Sequence, residues 1–413
     1  MIKRLIAFIL CLTIMMGLTS CYESVEIDEY AYTVAVGLDE GEGNTVRVTL
    51  QFALPNNISG EGVESGGNEA EEGSPALKNV TLEATTISLA IELANDLLSK
   101  KVTISHAIIL ILGKDFVEKS FERFWNEIFV GSGFSPGIYV AVCDGKADEF
   151  IEKIIPVFET NPTQYIERMV NMSSSVYTIN TDLYHVSRLV DSQLGDPGTI
   201  LCSLVESEDN LEEGEISPEE VLNEQFSPEK VPKKGGPETV FLGIAVFSGK
   251  KLSGFLNARE SWMYMASIGT RKLKDTFIED PNDPDKYIAA NMEQLKSPSI
   301  EVDVSGAVPK INVKLLFHAS IYSIQNEDTV KSVNYEQVEK LMEESLLKDF
   351  EDFYYKLARE YNSDLISFGK YARKNFLTID KWDEYAWREK YCDSSFNVVV
   401  EVKAKRSNMI LFE

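Results

Sequence analysis

Basic residues are scarce in this chain of 413 residues: 40 Lys and Arg stand against 66 Asp and Glu, a formal charge of −26. Polyanions are bound by clustered Lys and Arg that displace counterions, so this balance, with no basic stripe, argues against nucleic acid as a partner. Histidine is rarer still, with three residues and no second His at a ligand spacing. His106 precedes an apolar strand, His185 sits in a polar helical segment and His318 in an alternating strand, which suits structural roles. The five cysteines, at positions 11, 21, 143, 202 and 392, form no C-x-x-C and no zinc spacing. Mean hydropathy is −0.13, which excludes a polytopic membrane protein.

Signatures of catalysis are also wanting. Gly133-Phe134-Ser135-Pro136-Gly137 matches the G-x-S-x-G nucleophile elbow in letters only. An elbow needs a strand before it and a helix after it, and the residue after the serine must lend an N–H that Pro136 does not have. The same glycines form no dinucleotide fingerprint, because no strand leads into them. With 66 acids in the chain, any pairing into a glycosidase dyad, for instance Glu42 with Glu152, is meaningless without geometry. Cys143, Cys202 and Cys392 read as buried or incidental thiols, and a bridge between two of them is open in an exported protein. No catalytic, cofactor or metal site is assigned, and the chain reads as a non-enzyme.

What is present begins at the N-terminus. Lys3 and Arg4 precede an apolar run from Leu5 to Leu18 that ends in Leu18-Thr19-Ser20-Cys21. The run falls short of the roughly 20 residues a spanning helix needs, so residues 1–20 read as a signal peptide. Leu, two small residues and Cys resemble the bacterial lipobox, in which the thiol receives a diacylglycerol and becomes the new N-terminus. Cys21 is then the lipid attachment site. Cleavage removes Lys3 and Arg4 and no acid, leaving a still more acidic body that an anionic membrane does not attract. Acyl chains must hold it there, at about 0.8 kcal/mol per buried methylene.

With 44% hydrophobic and 26% charged residues, most of the mature chain should fold, into two or three domains by length. Strands are expected at Tyr30 to Leu38 and Thr45 to Leu54, joined by a turn over Asp39 to Asn44. In the second, Val46, Val48, Leu50, Phe52 and Leu54 alternate with mostly polar residues. Residues 56–75 are rich in Gly and Glu and read as a disordered acidic insertion. Helices are expected over Thr85 to Lys100, Phe116 to Phe129 and Ala147 to Ile155, with strands at Ala107 to Leu112 and Ile138 to Val142 between them. This N-terminal α/β domain spans 21–195. Nine acids, no base and Pro218 in residues 206–224 mark 196–237 as an acidic linker. The C-terminal region, 238–413, has room for two subdomains. It opens with a strand at Thr239 to Phe247 and continues with strands at Ile300 to Val304 and Ile311 to Ile324. A long helix follows over Tyr335 to Tyr361, with a Val338, Met342, Leu346, Phe350, Phe353, Leu357 stripe, and the last strand is Phe396 to Lys403. The fold class expected is α+β and multidomain, with mostly antiparallel or mixed sheets flanked by helices.

In order, these features resemble the Ger(x)C (GerAC) family, the lipoprotein C subunits of nutrient germinant receptors. Behind Cys21-Tyr22-Glu23 come Glu26-Ile27 and a strand ending in Gly37-Leu38-Asp39. The family's Ser-His, aliphatic strand and Gly correspond to Ser105-His106 through Leu112-Gly113. Gly243-Ile244-Ala245-Val246-Phe247, Lys251-Leu252 and Gly254-Phe255-Leu256 follow, then Asp364-Leu365-Ile366-Ser367-Phe368-Gly369. The sequence departs from the family at Tyr22, where Trp is common, and at Gly131 to Gly137, where relatives carry an Arg-Asp pair.

The resemblance implies a non-enzymatic subunit without cofactors, tethered by the diacylglycerol on Cys21 to the outer face of the spore inner membrane. Its partners would be a polytopic A subunit and a B subunit resembling amino-acid transporters. The alternative is a lipid-anchored solute-binding protein, which needs two similar lobes of repeated βαβ units around a cleft. A lipid-anchored cell-wall hydrolase lacks a credible site.

Overall fold

A computed structural model describes Arg4, Ile6 and residues 30–53, 77–156, 159, 161–171, 175–205, 224–326 and 334–406. Cys21, the Gly/Glu insertion at 56–75 and the acidic stretch at 206–223 lie outside the described residues.

The first sheet has nine strands. In chain order they are β1 (Tyr30–Glu40), β2 (Val46–Ala53), β3 (Leu77–Ala84), β4 (Lys101–Thr103), β5 (Ile109–Gly113), β6 (Tyr139–Cys143), β7 (Gly198–Leu204), β8 (Thr239–Ser248) and β9 (Lys251–Leu256). Their spatial order is β3-β2-β1-β5-β6-β7-β8-β9, with β4 on the first residues of β1. The central strands β1, β5, β6 and β7 run parallel, and antiparallel β1–β2–β3 and β7–β8–β9 complete the two sides. Parallel neighbours need crossovers, and here helices supply them and cover both faces. Helices Ile87–Leu97, Lys114–Lys119, Phe121–Asn126 and Leu183–Val190 pack on one face, and Ala147–Glu152 and Pro162–Val170 on the other. Hence β5 is apolar throughout, sending Leu110 and Leu112 into one core and Ile109 and Ile111 into the other.

The same double cover corrects the reading of β2. Its polar alternates Thr49 and Gln51 are buried, each 1% exposed. Each has an internal partner: the Thr49 and Thr81 hydroxyls meet at 2.9 Å, and Gln51 Nε2 donates to the Ile151 carbonyl at 2.9 Å. The helix expected over Phe116 to Phe129 is in fact Lys114–Lys119 and Phe121–Asn126, followed by a π-helical turn at Glu127–Gly131. Ser120 breaks it by leaving helical geometry while its carbonyl accepts from Phe124 N–H, a role that suits serine better than a helix interior.

The second sheet has five strands: β10 (Lys274–Asp280), β11 (Asp283–Gln294), β12 (Ser299–Asp303), β13 (Lys310–Ile324) and β14 (Ser395–Arg406). One edge of β13 pairs antiparallel with β12 and then β11, and its other edge pairs in parallel with β14. The helix Tyr335–Tyr355, capped by Asn334 accepting from Gln337 N–H, lays Val338, Met342, Leu346, Phe350 and Phe353 into this core. It ends in a π-helical turn, Lys356–Glu360. The helix Ala258–Ile268 starts on an Asn257/Glu260 capping box, which satisfies its first N–H groups, and stops at Gly269 in the left-handed region, φ 80°.

The expected boundaries at 196–237 and 238 do not follow the sheets. β7 lies inside the range read as linker, and β8 and β9, which follow it, pair with β7 in the first sheet. β8 serves both halves, sending Ala245 and Phe247 into the first core and Ile244 and Val246 into the core of the second sheet. The acid-rich run dominates the composition there and hides the apolar strand that precedes it. The whole is α+β, with mixed sheets flanked by helices.

Candidate functional site

A densely bonded polar cluster lies where the two sheets meet. Asp196, just before β7, and Asp364, in the loop after the long helix, are 2% and 1% exposed. Asp364 Oδ1 accepts from Phe368 N–H at 2.7 Å, and its Oδ2 accepts from Gly369 N–H at 2.7 Å and Trp387 Nε1 at 2.9 Å. Asp196 Oδ1 accepts from Gly249 N–H at 2.8 Å and Arg388 Nη2 at 2.7 Å, and its Oδ2 accepts from Asp364 N–H at 2.9 Å. Burial pushes the Asp364 carboxyl up to about 7, although the three N–H donors pull the other way. Burial also raises Asp196, opposed first by the Arg388 guanidinium.

The loop is shaped to present those donors. Ser367 sits at φ +64°, a conformation few residues other than glycine adopt, and Asp364 holds it there by accepting from the next two N–H groups. Gly195 packs so tightly under it that an added Cβ would overlap Ser367 Oγ. Each carboxylate oxygen is thus committed to fixed donors that join residues far apart in the chain. The cluster is a structural clasp in which each carboxylate oxygen accepts from at least one fixed N–H donor.

A third carboxylate works the same way in the first sheet. Asp39, at the end of β1, accepts from Ala147 N–H at 2.8 Å and Asp148 N–H at 2.9 Å, tying β1 to the first turn of helix Ala147–Glu152. Burial raises it to about 6 against those bonds. The motif residues Gly37-Leu38-Asp39, Gly113 and Asp364 through Gly369 therefore act on the fold itself.

Two open cavities lie in the half of the molecule that carries the second sheet. One, about 490 Å³, is a charged groove between helix Ala258–Ile268 and the end of the long helix, where Lys356 pairs with Glu260 at 2.6 Å and Arg259 with Asp349. The other, about 470 Å³, lies between β10, β11 and the long helix. At its edge Lys274 is 5% exposed, bound to Glu224 at 2.6 Å and 4.9 Å from the centre of the Trp262 ring. Burial lowers the Lys274 ammonium, and Tyr177 Oη donates to Glu224 at 3.2 Å. That pairing pins Lys274.

The other residues singled out in the sequence are dispersed. Ser135 lies in the turn before β6, where its Oγ accepts from Gly137 N–H at 3.4 Å. His106 packs edge-on against Tyr32, His185 opens helix Leu183–Val190 and His318 lies opposite Glu293. Cys143 and Cys202 are register neighbours on β6 and β7, and both are free thiols, as is Cys392. Asp196 was not marked by the sequence reading; the signal available was its Gly195-Asp196-Pro197 turn directly before an apolar strand.

Two family models match the chain, "Spore germination protein N-terminal domain" over residues 23–204 and "Spore germination B3/GerAC like, C-terminal" over residues 242–408. Curated proteins give no match. The crystal structure of the GerBC protein is similar, with a TM-score of 0.50 and 16% identity, over 89% of this chain and 96% of that chain. At that identity the likeness speaks for the fold, and the matched models on both halves speak for the family. The chain belongs to the GerAC family of spore germination proteins.

Proposed function

We propose that this protein is the lipid-anchored C subunit of a nutrient germinant receptor. Residues 1–20 are its signal peptide, Cys21 carries the diacylglycerol, and the folded body stands on the outer face of the spore inner membrane. It acts by binding a polytopic A subunit and a transporter-like B subunit, without catalysis of its own. The observation that carries this reading is the pair of family matches on both halves of the chain, behind a Leu18-Thr19-Ser20-Cys21 sequence. Two further features support it. The clasp commits its buried carboxylates to holding the fold, and no helix among the described residues is long and apolar enough to cross a membrane.

The reading is tested in spores that lack the chain. They should lose dipicolinate release in response to at least one nutrient and recover it when the gene is restored. Normal release to every nutrient that triggers the parent spores would count against it.

A further inference from the structure

The helix Ile87–Leu97 covers the outside of the first sheet. Ile87, Ala90 and Ala94 are buried against the sheet. Leu89, Leu93 and Leu97 stand at i, i+4 and i+8, one above another, and are 37%, 37% and 68% exposed. Phe129 and Val130, 41% and 79% exposed, stand near the helix's first turn, where Ser88 N–H donates to Glu127 Oε1 at 2.9 Å. Single exposed leucines are ordinary, but an aligned row with two more apolar side chains at its head marks a contact surface.

The position of the row indicates what covers it. Four residues after Leu97 the chain enters β4, whose Lys101 pairs with Tyr30, the first residue of β1. At about 3.5 Å per residue, Leu97 lies within ~14 Å of Lys101. Tyr30 in turn follows Cys21 by nine residues, a reach of at most ~32 Å. The Leu97 end of the row therefore shares the end of the sheet to which the anchored segment leads. Exposed Lys100 and Lys101 stand there with Tyr30 and Tyr32, residue types that settle at a bilayer interface. A chain of formal charge −26 is not drawn to anionic lipid by its charge, so close contact has to come from apolar side chains.

We propose that the row Leu89, Leu93 and Leu97 seats on the lipid bilayer, with its leucines at the boundary of headgroups and acyl chains, and so fixes the orientation of the body on the membrane. This rests on the lipid anchor at Cys21 proposed above.

The test uses the full chain, produced with its own leader and reconstituted in vesicles of phosphatidylglycerol and phosphatidylethanolamine. Leu97→Cys in a Cys392→Ser background carries a bimane label, the buried Cys143 and Cys202 being shielded from it. Leu377→Cys, at a site 94% exposed in the second half of the chain, is the control. Doxyl lipids are expected to quench the label at 97 at least about twofold more than the label at 377. Equal quenching at the two sites in vesicle-bound protein would overturn the docking and leave the anchor standing. Release of the unaltered chain from the vesicles would remove the anchor, and the docking with it.

Discussion

Asp196 and Asp364, 168 residues apart in sequence, bind each other twice: Asp196 N–H donates to the Asp364 carbonyl at 3.0 Å, and Asp364 N–H donates to Asp196 Oδ2 at 2.9 Å. One leads into the first sheet and the other follows the long helix of the second. The clasp, with β8 feeding both cores, makes the two halves one folded body.

The clasp predicts a pH dependence of stability. Burial lifts Asp364 from an ordinary 3.8 to about 7 in the folded protein. Between these values the folded state keeps a proton that the unfolded state releases, so stability falls as pH rises from about 4 to about 7. The slope approaches about 1.4 kcal/mol per pH unit for one such group. Asp39, raised to about 6, adds a contribution of the same sign over a narrower window. Asp364→Asn should flatten the profile while costing about 1–3 kcal/mol at acid pH, because its amide NH₂ must face an N–H donor. Urea midpoints of both proteins from pH 4.5 to 7.5 check this, and parallel profiles would contradict it.

Gly113 should tolerate no side chain. An added Cβ would overlap Asp39 Oδ1, which also accepts from Ala147 N–H at 2.8 Å. Gly113→Ala is expected to cost about 1–3 kcal/mol, by forcing either β5 or the Asp39 carboxylate to shift. The loss should show in the thermal midpoint, and should shrink when the change is made in an Asp39→Ala chain, since the two sites share one contact.

The free edge of β14 is closed by glutamates of the long helix. Glu343 Oε1 accepts from Val402 N–H at 2.9 Å and Glu339 Oε1 from Ala404 N–H at 2.8 Å. Unpaired strand edges invite pairing with other chains. Replacing both glutamates by Ala should cost roughly 1–3 kcal/mol per lost partner and raise concentration-dependent association, seen by light scattering. Glu339→Gln with Glu343→Gln, which keeps the acceptor oxygens, should stay close to the parent.

Long periodic segments were legible in the sequence: the stripe from Val338 to Leu357 lies on the helix Tyr335–Tyr355 and the π-helical turn that ends it, and the alternation of Val398, Val400 and Val402 lies on β14. What escaped was non-local. β3 and β10 lie at sheet edges, where only part of one face is buried, and they are held by pairing with β2 and β11. The joining role of β8 was hidden because alternation states which side chains are buried but not which core receives them. In the clasp, Asp364 was visible as part of a motif, while its partner Asp196 was not. A buried carboxylate is recognised by its donors, and Gly249 and the adjacent pair Trp387 and Arg388 come from two separate parts of the chain.

The central claim is that this chain is one subunit of a membrane receptor, and detergent pull-down of the tagged protein from dormant spores, with its partners identified by mass spectrometry, tests it most directly. A polytopic subunit and a transporter-like subunit should be recovered together with the chain, from the membrane fraction. Recovery of the chain alone, or its release to the soluble fraction with Cys21 unmodified, would contradict it.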